Sequence, residues 1–394
     1  MLRRLANVAL RAVQPQAMMQ SIQLPSHRGR IFVVGAGKAT FGMAVALHKR
    51  LGKKIVGGYV NVPVVYKKKI GKIIVQKATH PFPNAATVTA TKKIHTLAQS
   101  LRKDDLLICL WSGGGSSLFT LPRPGLTLHN QVNLSRQLMQ AGANIFELNT
   151  VRKHLSQVKG GQLAAATPAK VLSFIISDVI GDRLDVIASG PTVADRSTRS
   201  QAKAILKKYH LLTKQLSLII DQSDTPKRLD HKRISTQLIG SNRLALEQIV
   251  KTTKKIHVKI LTTAMHGEAR VVAKQLVTTA SRIKRRPTLL LAGGETTVTV
   301  RGTGYGGGNQ ELALAALQYL QPGMSLLTLA TDGVDGFTPI PVAGAIVRYG
   351  QWTKGLAPYL ANNDSYTALR KLKAVFTTGP TGTNVGDIVM IMVK

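Results

Sequence analysis

Short apolar runs alternate along the chain with longer stretches in which apolar residues recur every three or four positions. IFVVG (31–35), VGGYVNV (56–62), KIIVQ (72–76), DLLICLW (105–111) and VLSFIIS (171–177) read as strands. Between them ATFGMAVALHKRL, the segment from Asn84 to Leu101, and stretches around 128–141 and 147–159 read as helices. The last of these is expected to stop at Gly160-Gly161. Such alternation implies βαβ units and a mostly parallel sheet. After residue 196 the pattern loosens, and 221–233 reads as an exposed connection. A second α/β region begins near TQLIGSN (236–242). It holds a helix at 243–255, a strand at 257–263, a helix at 268–284, strands within 288–301, a helix from about 309 to 320 and a strand at 325–332. Two α/β domains are therefore expected, 1–235 and 236–394, with the last strand free to return to the first.

The N-terminal MLRRLANVALRAV places Leu2, Leu5, Val8, Ala9 and Ala12 on one helical face and reads as the first helix of the fold. Its Arg3, Arg4 and Arg11, with no acid before Asp104, also suit an Arg-rich transit segment. No run of about 18 apolar residues predicts a membrane span. Charge changes the picture more: 54 Lys and Arg face 18 Asp and Glu, a net charge of +36. The cations are spread along the chain, the densest groups being Lys67–Lys69, Lys254-Lys255 and Arg282–Arg286. With only 5% aromatic residues and no basic stripe, a solvated basic surface is expected rather than a nucleic-acid groove. Cys109, the single cysteine, excludes a disulfide within the chain and reads as a buried, inert thiol.

The candidate chemistry gathers where strands end, which is where open α/β sheets bind ligands. GAGK (35–38) offers Gly35, Gly37 and free amides at a helix start. Lys38 opposes the helix dipole there unless an anion binds between them. SGGGSS supplies Ser112, Gly113, Gly114, Gly115 and Ser116 as a nest of donors for phosphate or carboxylate. Arg152 and Lys159 stand two turns apart, on one face of the expected helix. Asp178, Asp182 and Asp185 follow a strand, as do Asp332 and Asp335, and carboxylates so placed suit Mg²⁺. Glu295 is a weaker candidate of the same kind. In RGTGYGGGNQELAL, Gly306, Gly307, Gly308, Asn309, Gln310 and Glu311 form a bare loop entering a helix, which invites a ligand close to the backbone. His80 and His154 read as structural or merely polar histidines.

In this order, SGGGSS, NTVRKHLSQVKGG, ISDVIGD, VIASGPT, AGGETTVTVRG, GGGNQELAL, ATDGVDG, NDSY and TGPTGTNVGD resemble the glycerate 2-kinase family (MOFRL-type glycerate kinases). The resemblance runs from about residue 5 to 392, and the length is closer to the bacterial members. It implies a Rossmann-like N-terminal domain, a second MOFRL-type α/β domain and an active site in the cleft between them. The activity implied is ATP-dependent phosphorylation of D-glycerate to 2-phosphoglycerate, with ATP and Mg²⁺. On this resemblance Lys38 matches the family's catalytic lysine, Ser112–Ser116 its serine–glycine loop, and Asp178, Asp182 and Asp332 its motif acids, expected at the metal. Arg152 or Lys159 would hold the glycerate carboxylate. The expected partners are D-glycerate and ATP, with a homodimer allowed, no specific nucleic acid and no membrane. The expected compartment is the cytoplasm, with the mitochondrion as the alternative.

Three motifs depart from the family pattern. Gly308 stands where GGRNQE has its arginine, Ile180 and Arg183 alter ISDVPGDP, and Arg348 follows the AGA turn in a run that usually carries an acid. They imply, as an alternative, an impaired homologue that binds nucleotide or anions. A hydroxypyruvate reductase and a basic nucleic-acid-binding protein rank lower.

Overall fold

The computed structural model describes residues 1–222 and 224–394. Its contacts divide the chain into two compact units. One comprises Met18–Ser177 and Asp182–Ile239; the other comprises Met1–Ala17, Asp178–Gly181 and Gly240–Lys394.

Among the described residues the first unit is built on seven strands: β1 (Ile31–Ala36), β2 (Ile55–Val62), β3 (Lys69–Ile70), β4 (Ile73–Lys77), β5 (Leu106–Trp111), β6 (Lys170–Ile176) and β7 (Ile234–Gly240). Their order is β3-β4-β2-β1-β5-β6-β7. β1 pairs in parallel with β2 and β5, β2 with β4, and β5 with β6, while β3 is a short antiparallel edge. All six residues of β5 are buried, as expected of a central parallel strand covered on both faces. From β1 the chain first builds toward β4 and then, through β5, toward β7. The order therefore reverses between β1 and β5.

Side-chain caps set several helix starts. Asn84 with Thr87, Asn144 with Glu147 and Thr198 with Gln201 each form a reciprocal capping box. The stretch after 196 is more ordered than its pattern suggests. Helices Arg199–Lys208 and Lys214–Gln222 bury Ala202, Leu206, Leu216, Ile219 and Ile220 against Leu126, Leu134 and Leu148. The connection expected over 221–233 thus begins inside a helix, and Ser223 within it lies outside the described residues.

The second unit carries β8 (His257–Met265), β9 (Thr288–Gly294), β10 (Met324–Ala330), β11 (Gly344–Arg348), β12 (Val375–Phe376) and β13 (Asp387–Val393), in the order β12-β11-β10-β13-β9-β8. β8 and β9 are parallel; the other pairs are antiparallel. The last strand does not return to the first sheet. β13 lies between β10 and β9, and its alternating apolar side chains Ile388–Val393 fill both faces there.

The N-terminal boundary also needs correction. Helix Leu2–Ala12 belongs with the second unit, where it packs on helix Asn242–Thr252. Its buried face is Leu2, Leu5, Ala6, Ala9 and Leu10, so Val8 and Ala12 sit at the margin. The hydroxyl of Thr383 ties the end of this helix by donating to the Val13 carbonyl at 2.6 Å. No helix among the described residues is long and apolar enough to cross a membrane.

Candidate active site

In the first unit the loops after β1 and β5 emerge side by side at the point where the strand order reverses. They are laced together. The Lys38 amide donates to the Gly113 carbonyl at 2.8 Å, and the Ala39 amide to Ser112 Oγ at 3.0 Å. A Cβ at Gly37 would stand 2.0 Å from Ser112 Oγ, so only glycine allows this approach. Gly114 adopts φ +79°, opening a four-residue helical turn, Gly115–Leu118. The amides of Gly113, Gly114 and Ser116 have no acceptor among the described residues. Ser116 Oγ lies 3.0 Å from Ser189 Oγ, which in turn donates to Asn149 Oδ1 at 2.8 Å.

The Lys38 side chain is exposed, and no hydrogen bond or ion pair engages its ammonium among the described residues. Beside it stands His80, whose ring would be 2.9 Å from a Cβ on Gly114. Burial and then the Lys38 charge lower the His80 pKa, so its ring is neutral at pH 7. This neighbour was not among the residues favoured from sequence, because a histidine between Thr79 and a proline carries no motif of its own.

Arg152 and Lys159 do not share a helical face. The helix is Ile145–His154, and side chains end it: Ser156 Oγ accepts from the amides of Val158 and Lys159, and Gln162 Nε2 donates to the carbonyls of Lys153, Ser156 and Lys159. Lys159 is 1% exposed and turns inward. Its Nζ donates to the carbonyls of Ser116 and Phe119 at 2.6 and 2.8 Å, capping the turn that SGGGSS begins. Desolvation, with the Arg152 charge second, lowers its pKa to about 7. Lys159 therefore holds the loop; its donors are spent on carbonyls rather than left for a carboxylate. Arg152 is half-buried, with no side-chain partner among the described residues, and burial lowers its pKa to about 10, leaving it charged at pH 7. With Lys159, Ser116, Ser117 and Phe82 it lines one pocket of this unit.

Two neighbours in the same motif are structural. Lys153 is buried between Asp185 (3.5 Å) and Asp195 (3.2 Å). Burial pushes Asp195 up, but the Lys153 charge and hydrogen bonds from Ser197 and Thr225 outweigh it and hold the carboxyl below its usual range. His154 is fully buried, with Nδ1 2.9 Å from the Thr150 carbonyl and Nε2 3.3 Å from Asp224. Asp195 had no sequence signal, since it lies outside every motif.

The glycine loop of the second unit meets mainly its own protein. The amides of Arg301 and Gly302 donate to Asn363 Oδ1, that of Thr303 to Asn362 Oδ1 and that of Tyr305 to Asp364 Oδ1. Gly304 donates to the Asn362 carbonyl, and Gly306 and Phe337 exchange a reciprocal pair at 3.0 and 2.9 Å. A Cβ on Gly304 would lie 2.3 Å from Asp364, and one on Gly307 2.4 Å from the Asp335 backbone. The bare sequence is thus a close approach to the chain's own segment 362–365 and to Asp335. Only the amides of Gly307 and Gly308 lack an acceptor within 301–311 among the described residues.

Helix Gly308–Ala316 already has an anion at its start. Asp335 accepts from the amides of Asn309 (3.0 Å) and Gln310 (2.8 Å) and from Gln310 Nε2 (3.0 Å). Glu311 is 1% exposed and pairs with Arg270 Nε at 2.7 Å. Asn309 and Glu311 therefore serve the fold here, against the expectation that they bind phosphate. Gly308 has ordinary helical backbone, and a Cβ there would meet Thr296 Oγ1 at 2.9 Å and the Thr296 carbonyl at 3.2 Å. That hydroxyl is buried and has no partner among the described residues.

Asp332 is half-buried and accepts from the Val334 amide at 3.0 Å. Burial, then Asp335, Glu295 and Asp332, raise the Asp387 pKa well above its usual value, the Asn309 hydrogen bond opposing them. Asp178 is half-buried just after β6, and Asp182 follows in a left-handed turn at φ +52°. Among the described residues no group of three or more His, Cys, Asp or Glu side chains is arranged to hold a metal ion. Of the departures, Arg183 has its own partner, Asp185 at 2.8 Å, and Arg348 ends β11.

Comparison with known proteins adds the following. Residues 1–220 match a family model described as a domain of unknown function (DUF4147), and residues 288–387 match the MOFRL family. The chain is 39% identical to a D-glycerate 2-kinase of Thermotoga maritima, over 97% of this chain and 95% of that one. A crystal structure of a glycerate kinase from the same organism superposes with a TM-score of 0.93, at 38% identity, covering 99% of this chain and 98% of that one. A protein of Agrobacterium vitis, provisionally named hydroxypyruvate reductase, is 36% identical over 100% of this chain and 94% of that one.

Proposed function

Because the chain belongs to the glycerate 2-kinase family, we propose that it transfers the terminal phosphoryl group of ATP to D-glycerate, giving 2-phosphoglycerate. The observation that carries the reading is the switch point of the first sheet. There the Lys38 side chain passes beside Gly114, its ammonium without a partner among the described residues, and the amides of Gly113, Gly114 and Ser116 have no acceptor among them. Phosphoryl transfer asks for charge neutralisation and positioning more than for covalent help, and this arrangement supplies both.

In this reading Lys38 stabilises charge on the transferring oxygens, the three amides orient a phosphate, and Arg152 takes the glycerate carboxylate. Lys159 keeps the loop in place from below. His80, neutral beside Lys38, is the group suited to accept the proton of the attacking hydroxyl. The oxygen donors Asp332 and Asp387 suit Mg²⁺, which commonly uses one or two carboxylates plus substrate phosphates, so a cluster of three is not required. Asp178 and Asp182 belong to the same proposal as post-strand carboxylates. Mg²⁺, when bound, would neutralise nucleotide phosphate charge. A dehydrogenase reading has less support, since GAGK lacks the further glycine of a dinucleotide fingerprint.

The test is a coupled assay with D-glycerate and Mg-ATP. Turnover well above a Lys38→Ala control is expected, and equal rates would remove the proposal. A weakened kinase is the second reading, favoured by Gly308 in the arginine's place. Arginine fits only if Thr296 yields, so Gly308→Arg alone should raise the rate little, and Gly308→Arg with Thr296→Ala should raise it more. If the double variant is no faster than the parent, the missing arginine does not limit the rate.

A further inference from the structure

Within the second unit, β8 and β9 begin side by side, with His257 paired to Thr288. Each is preceded, two or three residues upstream, by a pair of cations: Lys254-Lys255 before β8 and Arg285-Arg286 before β9. The parallel register brings both pairs to one end of the sheet, where they line a single open pocket with His257 and Thr253. No Asp or Glu lines it, and none of the four cations has a carboxylate partner among the described residues. Arg286 alone is engaged, through one Nη1 contact with the Lys394 carbonyl at 3.3 Å. Thr253 also lines it, and its buried Oγ1 has no hydrogen-bond partner among the described residues.

Helix dipoles explain part of this charge. Helices Asn242–Thr252 and Ala269–Ser281 both end at this side, and each terminus is equivalent to about half a negative charge. That offsets about one of the four cations. It leaves a concave cluster whose mutual repulsion persists, with an orphaned hydroxyl in its wall. No Phe, Tyr or Trp side chain lines the pocket. Two arginines and two lysines on separate segments fit a chain of phosphates. The pocket lies at the start of β9, whereas Gly293, Gly294 and Glu295 lie at its other end, seven residues or roughly 20 Å away.

We propose that this basic pocket binds a compact, soluble polyphosphate anion at a site separate from the glycine loops. The cation pairs hold the phosphate oxygens, and the Thr253 hydroxyl, buried in the free protein, turns outward to donate to one of them.

The test is calorimetric titration of the full-length protein with inorganic tripolyphosphate. The parent is compared with a Lys254→Gln, Lys255→Gln, Arg285→Gln, Arg286→Gln variant, with each pair of substitutions alone, and with Thr253→Val. The fourfold variant should show one binding event fewer than the parent while keeping its glycerate kinase rate. Each pair alone should weaken that event at least tenfold, and Thr253→Val, which leaves every charge in place, about threefold. Unchanged stoichiometry and affinity in both pair variants would overturn the proposal. So would equally tight binding of sulfate, or displacement of tripolyphosphate by a 20-nucleotide single-stranded RNA that binds more than tenfold tighter.

Discussion

Replacing Lys159 with methionine separates a stapled loop from a merely buried chain. The ammonium is 1% exposed, and its pKa falls from 10.5 to about 7 because burial strips its hydration. The folded state thus holds its proton less tightly than the unfolded chain does. Between about pH 7 and 10.5 the unfolded chain binds more protons, so this lysine makes stability rise with pH there. Its unfavourable contribution is fully present below pH 7 and fades as pH approaches 10.5. Integrated from pH 7 to pH 9, the two pKa values give a gain of about 2 kcal/mol. Methionine cannot titrate, so the gap between parent and Lys159→Met should widen by that amount in favour of the parent. Groups common to both chains, including the Cys109 thiol that burial pushes up, cancel in the difference. Urea unfolding in a Trp352→Phe background, followed by the fluorescence of Trp111 in β5, reports on the first unit. A gap constant to within about 0.5 kcal/mol across pH 7, 8 and 9 would refute the reasoning, because a change of two pH units cannot leave so shifted a lysine silent.

Asp335→Ala strips an acceptor from two buried amides, each costing about 1–3 kcal/mol when unmade, while relieving a carboxylate whose pKa burial has raised. Thermal unfolding should show a net loss of about 2–4 kcal/mol, and Asp335→Asn a smaller one. Lys153→Met leaves Asp195 buried without its cation, at a cost of about 3–5 kcal/mol. Adding Asp195→Leu should recover most of that loss in chemical denaturation. His80→Asn should lower kcat about 100-fold with little change in the KM for ATP and should abolish the acid limb of the pH–rate profile; an unaltered profile would remove histidine from the chemistry.

Strands β1, β2, β4, β5 and β6 were legible as short apolar runs, and both glycine loops fall where such runs end, whereas β7, expected to open the second domain at 236, completes the first sheet. The positions of Lys38 and SGGGSS just beyond strand ends were legible for the same reason. Lys159 was not, because the polar caps Ser156 and Gln162 stop the helix early while the Gly160-Gly161 signal stands six residues further on. RGTGYGGGNQELAL was misread on different grounds. A glycine that admits a ligand and one that admits a neighbouring backbone look identical in sequence, and what approaches here is Asn362–Ser365 and Asp335. The placement of helix Leu2–Ala12 is set by a surface some 230 residues away, which no local periodicity reports.

That placement, together with the central position of β13, bears on synthesis. The first sheet is complete once residue 240 has emerged. Helix Leu2–Ala12 must then wait, apolar face unpaired, until Asn242–Thr252 is made, and the second sheet stays in two pieces until the final strand slots between β10 and β9. For much of translation this helix therefore lacks the surface that buries its apolar face. Loss of the last eight residues would remove the keystone of the second sheet rather than trim its edge.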